Sequence, residues 1–109
     1  MAEIPEQIKN VVEDYVKKVA VHIPVKKAIL FGSYAKGIFN KDSDIDLAIF
    51  SDYFKGMNRT EGIYFLLLQA ADYDFDIEPQ AFTWADCEEP TGIVEEILKT
   101  GIEISLATQ

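Results

Sequence analysis

The residues with chemistry to offer are a Gly-Ser pair and a small set of carboxylates. Gly32-Ser33 is followed, after ten residues, by Asp44-Ile45-Asp46. The pair closes an apolar run, Ala28 to Phe31, and the aspartates open another, Ile45 to Phe50. Side chains alternate along a strand, so Asp44 and Asp46 share one face while Ile45, Leu47 and Ile49 face the core. Two carboxylates on one face repel each other unless a cation lies between them. Mg²⁺ is held in this way, through one or two carboxylates plus substrate phosphates. Two such ions roughly 4 Å apart clamp the attacking and leaving oxygens of a displacement at phosphorus.

A third carboxylate on a neighbouring strand would complete the site. The segment Asp74-Phe75-Asp76-Ile77-Glu78 offers three acids on one face. Asp76, flanked by Phe75 and Ile77, is the ligand chosen on this reading. Asp74 is the reserve and Glu78 the least favoured. Gly32 permits positive φ and close backbone approach. Ser33 then opens a short helix, whose free N–H groups favour an anion. Its hydroxyl is placed to donate to a β- or γ-phosphate oxygen, with Lys36 and Ser43 as further contacts to a triphosphate. Asp44 and Asp46 would hold the metals. Asp76 would bind the second metal and take the proton of an acceptor hydroxyl. The chemistry is attack on the α-phosphorus of a nucleoside triphosphate, with pyrophosphate leaving.

The elements that must position these residues follow from periodicity. Apolar residues at helical spacing from Ile8 to Ile23 predict an amphipathic helix over 6–23, ended by Pro24. Strands are expected at 25–31, 44–50 and 74–83, with Pro79 marking the last as an edge or bulge. A short helix begins at Ser33 and Gly37 closes it. Residues 51–59 and 84–90 read as loops. Helices are expected over 60–71 and 91–100, the latter capped by Gly101, and Ile102 to Leu106 as a short strand. With 109 residues and 49% hydrophobic content, this predicts one α/β domain, a mixed, partly antiparallel sheet covered by helices over residues 1–109.

The Gly32-Ser33 … Asp44-Ile45-Asp46-Leu47 pattern resembles the signature of nucleotidyltransferases of the DNA polymerase β superfamily. The resemblance spans most of residues 25–104, including the tail Ile97-Leu98-Lys99-Thr100-Gly101-Ile102. The length is similar to that of the minimal nucleotidyltransferases, which lack the domain that larger relatives use to hold the acceptor. The resemblance implies a polymerase-β-like fold, two Mg²⁺ ions and ATP as substrate. It also implies an antitoxin role beside a separately encoded helical HEPN protein, with AMP moved to a tyrosine of that toxin. Position 36 is often Arg in the family; Lys36 keeps the charge without the bidentate fork.

Composition trims the alternatives. The net charge is −9, and residues 42–89 carry twelve acids against Lys55 and Arg59. So acidic a surface is a poor ligand for nucleic acid, which is gripped through Lys/Arg contacts to phosphates. A templated polymerase is therefore disfavoured. No apolar run approaches the roughly 20 residues of a membrane helix, and no signal-like start is present, so a cytoplasmic protein is expected. The lone Cys87 forms no internal disulfide. His22 reads as surface, and Tyr34 and Trp84 as packing residues able to stack a nucleobase. The segment 60–71 is apolar nearly all round, which predicts core packing on one side and a partner or a second copy on another. Two rival functions remain: transfer to a small-molecule hydroxyl, and a non-catalytic antitoxin that acts by binding alone.

Overall fold

A computed structural model describes residues 4–106. Helix α1 (Glu6–His22) leads into β1 (Lys27–Phe31), the short α2 (Ser33–Lys36) and β2 (Ile45–Phe50). A 3₁₀ turn (Asp52–Phe54), α3 (Arg59–Ala70), β3 (Ile77–Phe82), α4 (Trp84–Glu88), α5 (Ile93–Thr100) and β4 (Ile102–Glu103) follow. The four strands form one mixed sheet in the order β3-β2-β1-β4. β1 runs antiparallel to β2 and β4, whereas β2 and β3 are parallel. Pro79 lies in β3, which is an edge strand as its missing N–H requires.

Alternation along the strands divides the core between the two faces. On one face Ala28, Leu30, Ile45, Leu47, Ile49 and Ile77 pack under α1 and α3. On the other, Ile29, Ala48, Phe50 and Phe82 pack under α5, with Trp84 and Cys87 of α4 at the margin. Tyr15 ties α1 to α3 by donating its buried hydroxyl to the carbonyl of Leu66 at 2.7 Å. The tie matters for position: α3 sits on the first face, and the second face is left for the acids.

Several expectations change. The third strand begins at Ile77 rather than 74, because its parallel ladder starts only where β2 starts, with Ile45 opposite Ile77. Residues 71–75 are turn and bend, held by bonds such as Tyr73 N–H to the Ala70 carbonyl at 3.2 Å. The segment expected as loop over 84–90 contains α4, started by a capping box. Thr83 Oγ1 accepts from Asp86 N–H, and the Asp86 carboxylate accepts from Thr83 N–H at 2.9 Å. The loop expected over 51–59 holds the 3₁₀ turn, capped by the buried Ser51, whose hydroxyl accepts from Tyr53 N–H. Gly101 does cap α5, though with φ −79 its need is for space: an added Cβ would lie 2.3 Å from Ile29 Cγ2.

Candidate active site

The parallel register of β2 and β3 builds the site. Both strands open with the same pattern, acid–Ile–acid: Asp44-Ile45-Asp46 and Asp76-Ile77-Glu78. Ile45 lies opposite Ile77 and Asp46 opposite Glu78. The Ile45 N–H donates to the Asp76 carbonyl at 2.8 Å, which fixes the level of the two segments. The isoleucines turn into the first core, so Asp46 and Glu78 turn to the opposite face, at the corner that α5 leaves open. Asp44 and Asp46 are half-buried; Asp76 and Glu78 are exposed.

The third element of the corner is Gly32. It follows β1 at φ +77, and an ideal Cβ built on it would lie only 2.2 Å from Asp46 Oδ2. Phe31, immediately before it, is the register partner of Asp46. No side chain fits here, and the left-handed φ disfavours one in any case. The Gly-Ser turn and the Asp-x-Asp pair, twelve positions apart in sequence between Gly32 and Asp44, thus meet across the β1–β2 pairing. Ser33 begins α2, where the first N–H groups of a helix have no intrahelical partner. The Lys36 N–H takes the first such bond, to the Gly32 carbonyl at 3.1 Å.

Electrostatics mark the corner as a place that lacks positive charge. Burial, and after it the neighbouring Asp44, hold the Asp46 carboxyl above its ordinary range. The Glu78 carboxyl, though its side chain is exposed, is likewise raised, by partial desolvation of its carboxyl and then by the charges of Asp44, Asp46 and Asp76 around it. Among the described residues the lysine ion pairs are Lys18–Asp72, Lys26–Asp52, Lys27–Glu103 and Lys36–Glu96, and none involves these four acids. Clustered oxygen donors that repel one another are the donor chemistry of a hard divalent cation. Among the described residues no group of three or more His, Cys, Asp or Glu side chains is placed to hold a metal ion by itself. Mg²⁺ does not require one, because substrate phosphates and water complete its shell.

The remaining sequence candidates distribute as follows. Ser43 lies in the turn before Asp44, where its hydroxyl accepts from the Asn40 N–H at 2.8 Å and so orders the approach to β2. Lys36 is exposed, with its ammonium 4.0 Å from the Glu96 carboxylate of α5. Asp76 immediately precedes β3 and reaches the site through its carbonyl and its charge on Glu78. Asp74 lies in the turn before it. Glu78, the least favoured acid in the sequence reading, is the one that the register sets beside Asp46. The repeated acid–Ile–acid pattern was the available signal: aligning the two isoleucines as first buried residues pairs the acids that follow them. Tyr34 is buried and stacks on Phe39 with ring centroids 4.8 Å apart, which occupies it in packing. Trp84 is half-buried, with the Lys26 ammonium 5.5 Å from its ring. His22 is exposed at the end of α1, and Cys87 is half-buried against the second core. No helix among the described residues is long and apolar enough to cross a membrane.

Comparison with known proteins bears on the fold and the family. A protein of Sulfolobus solfataricus described as a candidate nucleotidyltransferase superposes with a TM-score of 0.69 at 18% identity, covering 89% of this chain and 78% of its own. A toxin–antitoxin structure with AMP-PNP superposes with a TM-score of 0.55 at 21% identity, covering 93% of this chain and 74% of that one. At such identities the likeness speaks for the fold, a mixed α+β architecture of the polymerase-β kind. A search of curated proteins finds no match. The sequence itself matches the family described as "Polymerase beta, Nucleotidyltransferase" over residues 6–107, nearly its whole length. The chain belongs to the polymerase beta nucleotidyltransferase family.

Proposed function

We propose that the protein is a Mg²⁺-dependent nucleotidyltransferase that moves a nucleoside monophosphate, AMP from ATP, to a hydroxyl of a partner protein. The partner fits best as a helical HEPN toxin, with this chain as its antitoxin. The observation that carries the reading is the contact of Gly32 with Asp46, since it sets a phosphate-gripping turn against metal-binding carboxylates. The family gives the transferase class. The likeness to a toxin–antitoxin structure holding an ATP analogue supports the nucleotide and the kind of partner.

In this reading the Gly32–Ser33 backbone and the Ser33 hydroxyl grip the β- and γ-phosphates. Asp44 and Asp46 would hold the divalent metal beside the α-phosphate, and Lys36 can leave Glu96 to meet the triphosphate, the ion pair being loose and exposed. Divalent metal, when bound, neutralises the charge that develops as the oxygen–phosphorus bond to pyrophosphate breaks. We assign the third carboxylate to Glu78 in place of Asp76. Its place opposite Asp46, exposed at the open end of the strand pair, suits it to take the proton of the acceptor hydroxyl. The corner opens on solvent, which admits a side chain carried by another folded protein.

The test is incubation with α-labelled ATP, Mg²⁺ and a lysate of the source cells, beside the Asp44→Asn/Asp46→Asn variant. Label passing to a protein band only with both aspartates intact is the expected result. Label confined to a small product would move the acceptor to a metabolite. Absence of label with every nucleotide would leave a binding antitoxin and overturn the enzymatic reading.

A further inference from the structure

α3 carries a second apolar face that the fold does not use. Its inner side is fixed by Leu66 and Gly62, both buried, and by half-buried Ile63 and Ala70. On the opposite side Tyr64, Leu67 and Leu68 are 63, 45 and 54% exposed. With Thr60 and Ala71 they form an uncharged stripe at i, i+4, i+7, i+8 and i+11, the period of one helix face. The patch widens at one flank, where the exposed Tyr53 ring packs 5.3 Å from that of Phe65. Contiguous exposed apolar surface of this kind marks an interaction site.

We infer that this face binds a second copy of the same chain, α3 against α3, antiparallel about a two-fold axis. The arrangement of charge selects that occupant. The stripe itself has none, so it demands no opposite charge from a partner. Its two ends differ in net charge: Lys55 and Arg59 outweigh Glu61 at the N-terminal end, while Asp72 and Asp74 outweigh Lys18, which pairs with Asp72, at the C-terminal end. Arg59 and Asp72 have neighbours within the chain, Gln80 and Lys18, yet both remain exposed. An antiparallel pair sets the basic end of each copy beside the acidic end of the other, and opposes the helix dipoles favourably. A parallel pair would set like charges together. An isologous contact is also self-complementary: Tyr64 of one copy meets Leu68 of the other, and the converse. Because α3 lies on the sheet face opposite Asp46 and Glu78, both acid corners stay open in the dimer. The inference does not depend on the proposed reaction.

Sedimentation or light scattering of the purified chain over a range of concentrations reads the result directly. The expected outcome is a species of twice the 12.3 kDa chain mass. Tyr64→Lys and Leu68→Glu, each placing a charge in the apolar contact, should raise the dissociation constant by about tenfold or more, a change of about 1.4 kcal/mol. Both positions are exposed, so circular dichroism should show unaltered secondary structure, with melting no lower than that of the wild type diluted to monomer. An equimolar mixture of the two variants should recover a heterodimer, since the antiparallel geometry sets the new opposite charges face to face. A wild-type chain that stays monomeric throughout would overturn the inference and leave the face to a different protein. Dimers insensitive to both substitutions would overturn it equally, placing the contact elsewhere. Dissociation of each variant without recovery in the mixture would overturn the antiparallel geometry.

Discussion

At one end of the β2–β3 pair the register sets Asp46 beside Glu78; four residues on, on the same face, it sets Phe50 beside Phe82. The aromatic rings are stacked with centroids 5.3 Å apart, under α5 and Val94. Both pairs are produced by one backbone ladder, and both lie on the face away from α1 and α3. Their energetics run in opposite directions. The phenylalanine pair removes apolar surface from water and stabilises the sheet. The acid pair places like charges side by side in a partly desolvated corner, which disfavours the folded state until something positive arrives. Local consistency is broken at one place along an otherwise regular strand pair, and that place adjoins the Gly32 turn. Such a violation is expected where function competes with stability.

The largest effect that separates the two ends should come from the acids. Glu78→Gln is expected to lower nucleotidyl transfer by about 10²–10⁴-fold, the range for removing a positioned general base. Asp76→Asn should cost far less, because Asp76 acts on the site mainly through a backbone carbonyl that the substitution keeps. Transfer assays on the two purified variants decide between them. Equal losses would show that the register does not choose the third carboxylate, and a larger loss in Asp76→Asn would reverse the assignment.

At the aromatic end the sign is inverted. Phe50 is fully buried, so Phe50→Ala should destabilise the fold by about 3–5 kcal/mol through lost transfer energy and a residual cavity. Urea unfolding measures this loss. At temperatures where the variant remains folded, Mg²⁺-dependent nucleotide binding should persist, because the acid corner keeps its own register. A variant that unfolds normally yet loses binding would mean that the two ends are coupled along the strands.

Much of this contrast is legible in the sequence, because it is local. Gly32-Ser33 and Asp44-Ile45-Asp46 each sit at the boundary of a β-branched or aromatic run, and alternation alone puts Asp44 and Asp46 on one face. The helical period from Ile8 to Val19 shows α1 equally plainly. What periodicity does not carry is register. Choosing among Asp74, Asp76 and Glu78 needs the level at which β3 meets β2, a contact between residues 32 apart for Asp46 and Glu78. Counting the strand from Asp74 centres it on Asp76; starting it at Ile77 sets Glu78 level with Asp46. α4 escaped notice for a different reason. Its five residues, Trp-Ala-Asp-Cys-Glu, are too few to show an apolar period, and only the Thr83–Asp86 capping box announces it. The unpaired face of α3, by contrast, is written in composition: a helix apolar all round in so small a protein has one side too many.

The smallest effect is thermodynamic, and its sign follows from the raised carboxyls. Asp46 and Glu78 hold their protons more tightly in the folded chain than in the unfolded one. Without metal, their contribution favours folding most at and below about pH 4, the ordinary carboxylate range. It is lost as pH climbs from there through the raised folded values, and above those it stays lost. Glu78→Gln removes one of the two charges. In chelator at neutral pH the variant should therefore melt slightly above the wild type, and the gap should close toward pH 4. Mg²⁺ relieves the same repulsion, so at neutral pH it should raise the wild-type melting temperature more than that of the variant. Scanning calorimetry at both pH values, with and without Mg²⁺, reads all four corners of the comparison. A variant that melts no higher than the wild type in chelator would mean that the acid corner relaxes its strain into solvent. The contrast with the aromatic end would then be one of chemistry alone.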